Sequence, residues 1–156
     1  MNKEKACRYS VFSPVKCKKL MKIFLLILFF SKFILLTPVP ISLSEEWVFV
    51  APDKPITAIT GGASIRIDIS NYINDKMSFE EVKSKFPNGS IKGKLISDNG
   101  TIIELENKYS SHNQNQVMLI LDANEPIPLK VKFTKVALKS LQPIEKINVY
   151  WRNYAQ

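Results

Sequence analysis

The sequence predicts an all-β protein: a single immunoglobulin-like β-sandwich of seven to nine short strands, with one short helix near residues 78–86, following an N-terminal apolar targeting helix. Three observations carry this reading. Runs with period-two alternation recur through residues 45–156, one hairpin can be set in register from its charges, and a single stretch carries a helix-start signal.

Taken in chain order, residues 1–19 are a basic leader and residues 20–44 a signal peptide or signal anchor. The chain reads Leu20-Met21-Lys22 into the apolar run Ile23 to Phe30, then Ser31, Lys32 and Phe33-Ile34-Leu35-Leu36 before Pro38 and Pro40. Positive charge ahead of an apolar run is the order that export machinery reads. Ser42-Leu43-Ser44 places small residues where a signal peptidase requires them, so cleavage is expected after Ser44, leaving Glu45 first. Translation is expected to begin at Met21, which gives a signal of ordinary proportions. The rival, an uncleaved anchor, needs about 20 apolar residues. Lys32 would then sit near the middle of the span at a cost of roughly 2.5–3.5 kcal/mol, and Pro38 and Pro40 would break its last turns. The cleaved signal is the preferred reading.

Charge and cysteine divide at the same boundary. Residues 1–44 hold eight of the 22 basic residues and only Glu4 of the 14 acidic ones. Fourteen basic and thirteen acidic residues therefore remain in 45–156, and the domain lacks the long-range positive field that gathers nucleic acid. Cys7 and Cys17 both precede the apolar run, so the domain has no disulfide and depends on its core. A chain of this size buries roughly 65 % of its unfolded surface, which suffices. Neither cysteine follows the apolar run as a bacterial lipid-attachment cysteine would. Palmitoylation of Cys17 is left only to an uncleaved anchor.

Within the domain, Trp47 to Val50 is an apolar run ended by Pro52. Ile65, Ile67 and Ile69 alternate with Arg66 and Asp68, predicting a strand with one buried and one wet face. Ser78-Phe79-Glu80-Glu81 is a capping box, and Pro87-Asn88-Gly89 stops its helix two turns later. A three-residue loop Asp98-Asn99-Gly100, with Gly100 left-handed, sets Leu95 opposite Ile103 and Ile96 opposite Ile102. That register also sets Lys94 opposite Glu104 and Lys92 opposite Glu106, whereas a two-residue loop would oppose Leu95 to Glu104. Asn107 to Gln116 reads as a polar loop. Gln116 to Asp122 is apolar on both faces and is expected to be a central strand. Leu129, Val131 and Phe133 predict another strand, Val136 and Leu138 a further short one, and Ile147, Val149 and Trp151 the last.

No constellation in 45–156 specifies a reaction, and no catalytic residue, metal ligand set or cofactor is assigned. Ser111, His112 and Asp68 can be written as a hydrolase triad, but adjacent residues in a loop rarely face each other with a base fixed by a third group. His112 is expected to be a solvated loop side chain. One histidine without thiolates does not make a zinc site, and Asp122-Ala123-Asn124-Glu125 reads as a turn beside Pro126 and Pro128 rather than a calcium loop. Asn88-Gly89-Ser90 and Asn99-Gly100-Thr101 are glycosylation sequons that also suit turns.

Two surfaces remain. Asn148, Tyr150, Arg152 and Tyr154 share the face of the last strand opposite Trp151, where aromatic rings beside amide and guanidinium groups suit a protein partner or a sugar. Lys130, Lys132, Lys135 and Lys139 form a stripe that could meet a polyanion, although lysines on an edge strand more commonly block aggregation. The sequence is thus read as a non-catalytic exported or periplasmic β-sandwich binding another envelope or secreted protein. A carbohydrate-binding module and a membrane-anchored extracytoplasmic subunit are the alternatives, with membrane contact through residues 20–44 if uncleaved.

Overall fold

The computed structural model describes residues 33–59, 62–73, 77–113 and 116–153. Ten strands lie in one sheet: β1 (Phe33–Leu35), β2 (Ile41–Leu43), β3 (Val48–Val50), β4 (Ile56–Thr57), β5 (Ala63–Asp68), β6 (Ile91–Ser97), β7 (Ile102–Asn113), β8 (Gln116–Ala123), β9 (Lys132–Ser140) and β10 (Ile144–Asn153). A 3₁₀ turn covers Ser70–Tyr72 and a helix, α1, covers Phe79–Lys85. The strand order is β1-β10-β5-β8-β7-β6-β9-β3, with β2 also on β10 and β4 also on β9, and the strand pairs are antiparallel.

A single curled sheet takes the place of the two-sheet sandwich expected from the sequence. Alternation shows that one face of each strand is buried but not what it is buried against, and a coiled sheet can bury its inner face against itself. The polar stretch read as a loop decides between the two. Asn107 to Asn113 continues β7 and pairs with β8 as far as Asn113↔Gln116, so no long connection exists there to lead the chain into a second sheet. At the far side of the curl the amide of Ser140, at the end of β9, donates to the carbonyl of Ser44 just past β2, at 2.8 Å. The enclosed core includes Trp151, Phe133, Ile65, Ile67, Leu95, Leu121 and Leu138. Gly93 on β6 is closely packed: a Cβ there would stand 3.2 Å from both Leu121 Cδ2 and Leu138 Cδ2.

The β6–β7 hairpin has the expected register, with Lys92↔Glu106, Lys94↔Glu104, Leu95↔Ile103 and Ile96↔Ile102. Gly100 takes φ +85°, and Asn99 Oδ1 accepts from the Thr101 amide at 3.1 Å and its hydroxyl at 2.8 Å. The helix is also as expected: Ser78 Oγ accepts from the Glu81 amide at 3.3 Å, and the Glu81 carboxylate accepts from the Ser78 amide at 2.7 Å. β8 is central, between β5 and β7. The two strands expected over 129–138 are one, β9, which begins only at Lys132; its pairing with β6 shifts between Ile96 and Ser97, so an irregularity carries the chain across the apparent break. Leu129 is exposed, and Lys130 adopts φ 68° ahead of the strand.

Among the described residues, strand pairing already involves Phe33, inside the segment 20–44 read as targeting sequence. β1 pairs with β10 through Phe33↔Arg152, Ile34↔Trp151 and Leu35↔Tyr150, and β2 through Ile41↔Ile147 and Leu43↔Ile144. Leu36 and Leu43 are each 2 % exposed and belong to the core. Residues 20–32, where an apolar helix is expected, lie outside the described residues.

Candidate functional site

The face predicted on the last strand is formed by β10 and its neighbours. Because alternate side chains point the same way, Asn148, Tyr150 and Arg152 sit together on the side opposite the buried Val149 and Trp151. Tyr154 lies outside the described residues. The register β1-β10-β5-β8 adds Phe33, Leu35 and Arg66 to this face, aligning Leu35, Tyr150, Arg66 and Ile120 across four strands.

This face is partly closed. Tyr150 is half-buried, and the ring of Phe33 meets it edge-on, with centroids 6.2 Å apart and planes at 88°. The guanidiniums of Arg152 and Arg66 stand 4.8 Å and 5.4 Å from the centre of the Phe33 ring. Arg66, expected on a wet face, is only 4 % exposed. Burial pushes the Tyr150 phenol above its ordinary pKa, and the Asp68 carboxylate raises it further. The role of Phe33 was not readable in the sequence, where it lay in a run assigned to targeting.

The lysine stripe does not form as a row on an edge. β9 has β6 on one side and β3 and β4 on the other, so edge protection cannot explain its lysines. Lys130 falls in the preceding turn, and Lys132 and Lys135 flank the irregularity. Lys139 joins Lys94 of β6 beside Trp47, their ammonium groups lying 4.9 Å and 5.0 Å from the indole centre. Lys94 also pairs with Glu104 at 3.5 Å.

Among the described residues the strand order ends at β1 on one side, and on the other the edge is β3. Its residues Val48-Phe49-Val50 carry no charge, and Phe49 is 64 % exposed.

His112 is not a loop residue. It lies on β7, paired with Val117, and is half-buried with its ring stacked on Phe79 of α1 at 4.0 Å and 31°. Ser111 is its neighbour along the strand and so points to the opposite face. Asp68 instead accepts from the Ser70 amide at 3.0 Å and takes a hydrogen bond from Gln116 at 3.3 Å. The three residues do not converge as a triad. A cleft of about 350 Å³ between α1 and β7 is lined by Phe79, Lys83, Asn88, Lys108 and Tyr109, near the lower end of ligand-pocket sizes. Its floor is structural. The Asn107 carboxamide accepts from the Ile91 amide at 2.8 Å and donates to the carbonyls of Phe86 at 3.3 Å and Pro87 at 3.0 Å, while Lys108 donates to the Ala123 carbonyl at 3.1 Å.

Among the described residues there is no group of three or more His, Cys, Asp or Glu side chains able to hold a metal, and no helix is long and apolar enough to cross a membrane. Comparison with known protein families, characterised protein sequences and solved structures gives no match. The fold and surfaces define a mostly β protein built on one curled antiparallel sheet.

Proposed function

We propose that the chain is a non-catalytic, exported β-domain that binds another envelope or secreted protein by strand addition along β3. The observation that carries this reading is the unprotected edge. Edge strands are ordinarily blunted by lysine, proline or inward charge, yet Val48-Phe49-Val50 has none of these within the strand and turns Phe49 outward. A partner strand laid along β3 would satisfy its outer backbone groups, and Phe49 would supply a side-chain anchor. A protein fits better than a glycan. The glycan alternative needs Tyr150 as an open stacking platform, and that ring is half-buried beneath the edge of Phe33.

The test is site-specific photocrosslinking with the full chain in the cells that produce it. Benzoylphenylalanine at Phe49 is expected to give a discrete protein adduct that the same probe at Asn99, on the exposed β6–β7 turn, does not give. Adding Val48→Lys should abolish that adduct. No protein adduct from position 49, or the same set from both positions, would reject the reading.

A further inference from the structure

We infer that the outer face of β1 and β10, built on Phe33, Leu35 and Tyr150, rests on a lipid bilayer surface, and that residues 33–44 stay with the domain when it does so. The inference rests on reading the apolar run as the segment that brings the chain to a membrane.

The first observation is the exposure of β1. Phe33, Ile34 and Leu35 are 43 %, 41 % and 49 % exposed, although they are paired in the sheet. Phe33 and Leu35 on this outermost strand point to one face and form an apolar patch of the kind that marks an interaction surface, while Ile34 points to the other. Phe33 and Leu35 share the face of Arg152 and Tyr150, so the patch continues into an aromatic ring with a polar tip and a guanidinium. That is the side-chain chemistry enriched at the level of lipid headgroups.

The second observation is what precedes it. The run Ile23 to Phe30 ends with only Ser31 and Lys32 before β1. Three backbone steps reach at most roughly 10 Å. Wherever that run enters a membrane, β1 is held within about one headgroup layer of it. A soluble protein partner has no comparable reason to be at this place.

The pairing of β1 and β2 also excludes one alternative while the domain is folded. A spanning helix over 23–43 would have to withdraw Leu36 and Leu43 from the core and Thr37 from its hydrogen bond to Val149. The apolar run that precedes the described residues, Ile23 to Phe30, has the length of a signal core or interfacial segment rather than of a span. Residues 33–44 therefore serve the domain and not the membrane core.

Benzoylphenylalanine at Leu35 in the full chain, photolysed in the producing cells, tests the inference directly. The expected product is a lipid adduct, recognised by the added mass of a phospholipid, at a yield at least five times that of the same probe at Phe49. A protein adduct in its place, no adduct, or equal lipid labelling at both positions would overturn it. So would an intact mass for the membrane-associated chain that begins at Glu45, because the surface would then be gone. Failure at Leu35 leaves the Phe49 protein adduct unaffected, and the converse also holds, so the two proposals fail separately.

Discussion

Leu36 and Thr37 together take both backbone groups of Val149: the Leu36 amide donates to the Val149 carbonyl at 2.8 Å, and the Val149 amide donates to Thr37 Oγ1 at 2.9 Å. A side chain here replaces the strand partner that β10 would otherwise lack where β1 ends. Thr37 is 2 % exposed, so water cannot substitute for it. Thr37→Val keeps the shape and removes the acceptor, which leaves a buried N–H unpaired at a cost of about 1–3 kcal/mol. Urea unfolding of the full chain is expected to show a lower midpoint at unchanged slope. A midpoint equal to that of the parent would mean that residues 36–37 do not support β10.

Gly93 is required by packing. An added methyl would meet Leu121 and Leu138 at 3.2 Å and Leu105 Cβ at 3.4 Å, and both leucine side chains in front of it are fully buried. Gly93→Ala is expected to destabilise the domain by about 1–3 kcal/mol. Combining it with Leu138→Val, which removes a methylene from the obstruction, should recover part of the loss. A double-mutant cycle measured in urea reads this coupling, and strict additivity would show that the curl has room at β6.

The capping box of α1 gives a pH dependence of defined sign. Hydrogen bonds from the Ser78 amide and hydroxyl hold the Glu81 carboxyl below the usual carboxylate range. Its folded pKa is thus lower than its unfolded one. The contribution is present above the unfolded value and is lost as pH falls through the folded value, in acid solution. Ser78→Ala is expected to cost about 0.5–2 kcal/mol near neutral pH and to flatten the acid limb of the stability curve. Thermal melts of both proteins across that limb provide the measurement, and parallel curves would count against the assignment.

Tyr150 offers an optical test of how closed its face is. Burial and the Asp68 carboxylate raise its pKa, so in an alkaline absorbance titration at the phenolate band its step should lie above the ordinary phenol range. Tyr150→Phe should delete this raised step, and Asp68→Asn should move it to lower pH. The sign for stability is opposite to that of Glu81: the unfolded phenol ionises first, so the contribution is full below the unfolded pKa and is lost as pH rises towards the folded one.

The sequence by itself determined the local structure. The buried faces of Ile65 and Ile67 and of Ile147, Val149 and Trp151, the Ser78 box and the β6–β7 register rest on neighbours close along the chain or on complementary charges, and each is present as read, whereas the opposite face of β5, read as wet, is buried at Arg66. Two kinds of feature required the tertiary structure. The first is whatever depends on which strands meet. The same buried faces serve a sandwich or a curl, and only the pairing of Asn107 to Asn113 with β8, and of Ser140 with Ser44, selects one curled sheet. The second is the allegiance of an apolar segment. Phe33 to Leu36 reads equally well as membrane-directed chain or as strand, because transfer out of water rewards both, and it is β10 that supplies the backbone partners making it a strand. That pairing also set the Phe33 ring edge-on to Tyr150 and brought Leu35 to the same face, while the end of the strand order at β3 left Phe49 exposed; Leu35 and Phe49 are two positions that periodicity along a single strand had no means of selecting.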